Sequence, residues 1–169
     1  MKERPTLHSS QGRSPVLGLE LRNQISHAEV NPSASPSSMI GILLITHGGL
    51  GASLLDCATH VIGSRPPHAI AMGVEPADDP VVLLGRAKQL AASLDLGAGV
   101  LVISDMFGAT PSNIARQLLE PGRIEGLAGA NLPMLVRALT YRNEPLSQVA
   151  EKAITGCIAG ALRMDREGC

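Results

Sequence analysis

Two short runs in this 169-residue chain combine residue types that can do chemistry: His47-Gly48-Gly49-Leu50-Gly51 and Asp105-Met106-Phe107-Gly108-Ala109-Thr110-Pro111. Each follows a nearly unbroken apolar stretch, so His47 and Asp105 are expected at the carboxyl ends of buried strands. If those strands are neighbours, the two side chains can meet. A carboxylate on one imidazole nitrogen fixes the ring's tautomer and leaves the other nitrogen as a directed nucleophile. Gly48, Gly49 and Gly51 allow backbone N–H groups to come close to an anion just before a helix begins; Gly108-Ala109-Thr110-Pro111 does the same at the next helix, with the Thr110 hydroxyl as a further donor. Uncapped helix starts favour anions, phosphate above all. The expected site is therefore a nucleophilic histidine, His47, with Asp105 behind it, in a phosphoryl cradle of Gly48, Gly49, Gly108 and Thr110. Phe107, the single Phe of the chain, stands in the second run as a side chain for docking a partner or packing a core. His8, His27, His60 and His68 lack such surroundings.

The elements that must position these groups follow from the periodicity. MIGILLIT (39–46) reads as the first strand, and ASLLDCATHVIG as a helix with Leu54, Leu55, Ala58, Val61 and Ile62 on one stripe. HAIAMGV (68–74) is a second strand. An Asp of Asp78-Asp79-Pro80 caps the helix that runs through VVLLGRAKQLAASL, with Pro at its first position. GVLVISD (99–105) is a third strand, and Thr110-Pro111 is a second cap-and-Pro start. IEGLAGA (124–130) is a weaker fourth strand, followed by a helix in LPMLVRALTY. Leu146, Val149, Ala150, Ala153, Ile154, Cys157, Ile158, Ala161 and Leu162 form the apolar stripe of the last helix. Strands alternating with helices predict a doubly wound α/β domain, a mostly parallel sheet of order 2-1-3-4 with helices on both faces. In such sheets ligands sit at the switch point beyond the strand ends, where the first and third strands end in His47 and Asp105.

Composition narrows the function. Fourteen Lys+Arg against fifteen Asp+Glu give a net charge of -1, which leaves no basic field for a nucleic-acid backbone. Aromatic residues make up 1%, so stacking platforms for bases are nearly excluded. Three widely spaced cysteines without a CxxC pair point to a reducing, cytoplasmic setting and away from a metal centre. Residues 1–38 hold eight Ser and four Pro and close on NPSASPSS; they read as a disordered arm or an upstream extension of a folded domain over 39–169. They contain no apolar core of a signal peptide, and no apolar stretch has the length of a membrane span.

ILLITHGGLGASLL, SDMFGATPSN and AGANLPML together resemble, in order and spacing, the IIA component of the mannose family of the bacterial phosphoenolpyruvate:sugar phosphotransferase system. The resemblance spans about 39–165 and implies a phosphocarrier, with no cofactor or metal. In that family the histidine matching His47 accepts a phosphoryl group from the phosphohistidine of the carrier protein HPr. The aspartate matching Asp105 bonds its other nitrogen, and the position of Thr110 faces the phosphoryl oxygens. It further implies a homodimer built partly by exchange of a C-terminal strand, and a IIB component as next acceptor unless phosphorylation is itself the regulatory signal. At most the protein is peripheral to a membrane. Two alternatives carry different chemistry. The phosphotransferase subunit of dihydroxyacetone kinase shares the fold and the histidine, but its motif lacks a GxTPSN-like run. A nucleotide-binding module would use Gly49-Leu50-Gly51 with Glu75, although Leu54 stands where a third glycine belongs.

Overall fold

The computed structural model describes residues 39–164; the arm expected over 1–38, and residues 165–169, lie outside the described residues. Among the described residues nine elements follow in the order that the periodicity predicts: β1 (Gly41–His47), α1 (Leu50–Ile62), β2 (Ala69–Val74), α2 (Pro80–Leu94), β3 (Val100–Ser104), α3 (Thr110–Arg116), β4 (Ile124–Ala128), α4 (Leu132–Tyr141) and α5 (Leu146–Ala159). The four strands form one parallel sheet in the order β2-β1-β3-β4.

Alternate residues of each strand feed two separate cores, which is why the strands read as continuous apolar runs. Ile42 and Leu44 of β1, with Leu101 and Ile103 of β3, pack under α1, α4 and α5. Leu43 and Ile45, with Val100 and Val102, pack under α2 and α3 on the opposite face. From β1 the chain leaves through α1 on one face, and from β3 through α3 on the other. The gap between the ends of β1 and β3 is therefore the switch point. No described helix is long and apolar enough to cross a membrane.

Local chemistry explains most boundaries and corrects a few. Asp79 caps α2 by accepting from the Val81 amide at 2.7 Å, with Pro80 at the first helical position, as expected. For α3 the expected cap, Thr110, is already helical. Ala109 takes the extended cap conformation, and its carbonyl accepts from the Asn113 amide (3.0 Å) and the Ser112 hydroxyl (2.9 Å). Helix α1 begins at Leu50 rather than after Gly51, and the Gly51 amide donates to the Thr46 hydroxyl at 2.8 Å. Strand β3 stops at Ser104, so Asp105 is the first residue of the loop. The stripe of α5 is only partly used. Leu146, Val149, Ala150 and Ala153 are buried, whereas Ile154 and Ile158 are exposed and the helix ends at Ala159, short of Leu162. In α1, Leu55 and Ala58 are buried while Val61 and Ile62 are 46% and 37% exposed.

Candidate functional site: an imidazole–carboxylate pair at the switch point

In the β1–β3 pairing Ile45 lies opposite Ser104. That register sets His47 and Asp105 just past the last paired residues of two adjacent strands. Their side chains meet there: His47 Nδ1 is 2.9 Å from Asp105 Oδ2. The same carboxylate oxygen accepts the backbone N–H of His47 at 2.9 Å, and Oδ1 accepts the Met106 amide at 2.9 Å. One carboxylate thus holds both the ring and the backbone of the histidine. An ionised carboxylate only accepts, so Nδ1 carries the proton, and in the neutral ring Nε2 holds the lone pair. The His47 side chain is 52% exposed and that of Asp105 10%, so the ring reaches solvent while the carboxylate behind it is largely covered.

The carboxyl of Asp105 titrates below the usual carboxylate range. Burial is the largest single influence and pushes it up, but the His47 amide, the imidazole and the Met106 amide together outweigh it. Asp105 is therefore an anion at neutral pH and can balance positive charge on the ring.

The glycine-rich turn fits its two neighbours. Gly48 has φ of +47°, a left-handed conformation natural to glycine, and its amide donates to the Val74 carbonyl at the end of β2 (3.0 Å). What Gly48 supplies is the turn, since its N–H is spent on strand pairing. A Cβ on Gly73 would run into the Gly48 carbonyl oxygen, a requirement for glycine in β2 that no sequence motif signalled. Gly49 then caps α1 with no side chain of its own; the Thr46 hydroxyl takes the Gly51 amide, and the Leu50 and Ala52 amides of the first turn have no partner among the described residues. On the other side Gly108 has φ of +86°. Thr110 is exposed, and its hydroxyl has no hydrogen-bond partner among the described residues. Phe107 is 76% exposed in the second loop, so it is not a core side chain.

The third motif block has a different task. Asn131 of AGANLPML caps α4 by accepting from the Met134 amide (2.9 Å) and donates to the Cys157 carbonyl (3.2 Å), while the Ala130 amide donates to the Ser104 carbonyl (3.0 Å). This stretch ties β4, α4 and α5 to the end of β3, immediately before Asp105. The nucleotide-type placement of Gly49-Leu50-Gly51 does not build a phosphate cradle of that kind, because Gly51 is buried and its amide is taken by Thr46. Glu75 stands beside Gly48, its Oε1 3.7 Å from where a Gly48 Cβ would be.

The fold is thus a doubly wound α/β domain with a parallel sheet of order 2-1-3-4, and its switch point presents an imidazole backed by a carboxylate. Residues 41–154 match the family model described as PTS system fructose IIA component, EIIA-man, and the chain belongs to that family. The chain is 29% identical over 130 residues to the PTS system mannose-specific EIIAB component of Escherichia coli K12, a match covering 76% of this chain and 38% of that protein. The chain thus spans well under half the length of that relative. It is 28% identical over 105 residues to the PTS system fructose-specific EIIA component of Bacillus subtilis 168, covering 62% of this chain and 71% of the relative. Among solved structures, phosphotransferase system component EIIA from Streptococcus agalactiae superposes with a TM-score of 0.67 at 23% identity, over 78% of this chain and all of that one. The mannose/sorbose specific IIA subunit from Enterococcus faecalis gives a TM-score of 0.67 at 19% identity, over 75% and 96% of the two chains.

Proposed function

We propose that this protein is a phosphocarrier of the sugar phosphotransferase system that accepts a phosphoryl group on Nε2 of His47. The observation that carries this reading is the single carboxylate of Asp105, which holds the imidazole through Nδ1 and leaves Nε2 without a partner among the described residues, two residues before the glycine that caps α1. The donor is the phosphohistidine of HPr. The lone pair of Nε2 attacks phosphorus in line as the donor P–N bond breaks, and the donor ring leaves with the electron pair of that bond. The ring of His47 then carries added positive charge, which Asp105 offsets across the Nδ1–H bond. Amides at Gly49 and Gly108 and the Thr110 hydroxyl neutralise the equatorial oxygens, while Gly48 shapes the turn. Catalysis is then positioning plus electrostatics. Phe107 offers an apolar anchor to the incoming protein. Discharge to a IIB component, or use of the phosphorylated form as a regulatory signal, completes the cycle, and the working form is a homodimer.

The test is incubation with phosphoenolpyruvate, enzyme I and HPr. Acid-labile phosphate on His47, lost in His47→Gln, is the expected result. An unlabelled protein in a mixture that labels another IIA component, or label on a different residue, overturns the reading.

A further inference from the structure

On the far side of the Asp105 loop, between α3 and β4, lies a cavity of about 190 Å³ that the proposed phosphoryl chemistry does not use. The buried serines Ser104 and Ser112 line its inner end, and the exposed Gly126, Phe107, Leu119 and Arg116 its outer end. Small residues leave room but do not by themselves make a site. The second observation is the Ser104 hydroxyl: the residue is 1% exposed, its oxygen is buried, and it has no hydrogen-bond partner among the described residues. Buried hydroxyls are nearly always paired, and leaving one unpaired costs stability. Ser112, by contrast, is satisfied by the Ala109 carbonyl.

The lining chemistry specifies the occupant. No carboxylate lines the cavity, and Arg116 forms no ion pair among the described residues, so the rim favours an anion. Phe107 and Leu119 favour a short apolar segment, and the unpaired Ser104 hydroxyl can donate to an oxygen at the inner end. The volume lies below the roughly 300–1,000 Å³ of drug-sized pockets, so the ligand is small. The structure assigns this cavity as a binding site for a small hydroxy- or oxo-carboxylate, its carboxylate at Arg116 and its second oxygen at Ser104. Ser104 and Phe107 flank Asp105 and Met106 in sequence, so the occupant sits against the loop that holds His47. The inference stands apart from the phosphocarrier reading, because binding is measurable whether or not His47 is ever phosphorylated.

Three probes separate the contributions: 4-hydroxybutyrate, butyrate without the inner oxygen, and butane-1,4-diol without the charge. Each is titrated into the full-length protein while backbone amide signals are followed by NMR. Saturable shifts centred on Ser104, Phe107, Leu119 and Ala128 are expected, tightest for 4-hydroxybutyrate. Ser104→Ala deletes an unpaired buried group and so keeps the fold; it should weaken 4-hydroxybutyrate about two- to tenfold and leave butyrate unchanged. Arg116→Gln should weaken both acids up to about fivefold and leave the diol unchanged. Ala128→Leu, which fills the cavity, should abolish binding of all three. The absence of saturable shifts at these amides overturns the assignment. So do affinities that ignore all three substitutions, or equal binding of the diol and the acids.

Discussion

Replacing Asp105 by Ala removes one acceptor group that receives three N–H donors, from His47 N, His47 Nδ1 and Met106 N, each at 2.9 Å. A hydrogen bond to a charged group contributes about 1.5–3 kcal/mol. The bond to Nδ1 is the one that strengthens as the ring gains positive charge. If that bond alone is lost from the transition state, at about 1.4 kcal/mol per factor of ten, transfer slows roughly 10- to 150-fold. The two backbone amides turn to water, so the loop loosens at a cost of about 1–3 kcal/mol in stability. Asp105→Asn separates the two effects. Its single amide oxygen can serve either His47 or Met106, and its NH2 then faces the remaining donor, so it should fall between wild type and Ala in rate. The assay is rapid-quench transfer of ³²P from phospho-HPr at saturating donor, beside thermal melts of each variant. Ring ¹⁵N shifts of His47 report the tautomer directly, a readout that loosening of the loop alone would not move. A transfer rate within about twofold of wild type, in an Asp105→Ala protein whose melt is visibly shifted, would refute the argument and leave Asp105 with a purely structural task.

The remaining predictions use the same contacts. Because the folded pKa of Asp105 is depressed, its contribution to stability is present above the ordinary carboxylate value of about 3.9 and is lost as pH falls through the lower folded value. The stability gap between wild type and Asp105→Asn, followed by denaturant titration, should therefore hold down to about pH 4 and close only below it. Asp95 follows the same sign, held low chiefly by its hydrogen bond from Arg123 and then by the Gly97 amide, so Asp95→Asn should show its deficit in the same window. Gly73→Ala should lower stability by about 1–3 kcal/mol and shift the amide signals of Gly48 and His47, because the added methyl meets backbone. Gly85→Ala, in the exposed interior of α2 with open space around it, should raise stability by about 0.5–1 kcal/mol. Its failure to do so would undercut the comparison. Asp79→Ala should cost about 1 kcal/mol through loss of the α2 cap, read from the melting midpoint.

The path from residues to site was legible where a single physical rule decides the outcome. Apolar runs ending in His47 and Asp105 put those residues at strand ends, and the order 2-1-3-4 common among such sheets makes the two strands neighbours. Less was legible where two rules compete. Thr110-Pro111 has the residue types of a cap and a first turn, yet the extended conformation falls one residue earlier, at Ala109, whose carbonyl closes the turn. Gly51 looks like part of a loop, but Thr46 draws it into the helix. The stripe of α5 has the period of a buried face, and period alone cannot tell how wide the covered arc is; Ile154 and Ile158 lie outside it. Gly73 and the unpaired Ser104 hydroxyl carry no pattern at all, since each depends on a neighbour distant in sequence.

The Gly48 amide on Val74 and the His47 amide on Asp105 stitch the histidine's own backbone to the strands on either side of it. On the proposed phosphocarrier reading, an acceptor tied in this way at the end of a central strand has little freedom to move when its charge changes. A partner that distinguishes the loaded form from the empty one would have to sense the electric field at the surface, because the scaffold beneath offers no mechanical stroke to sense.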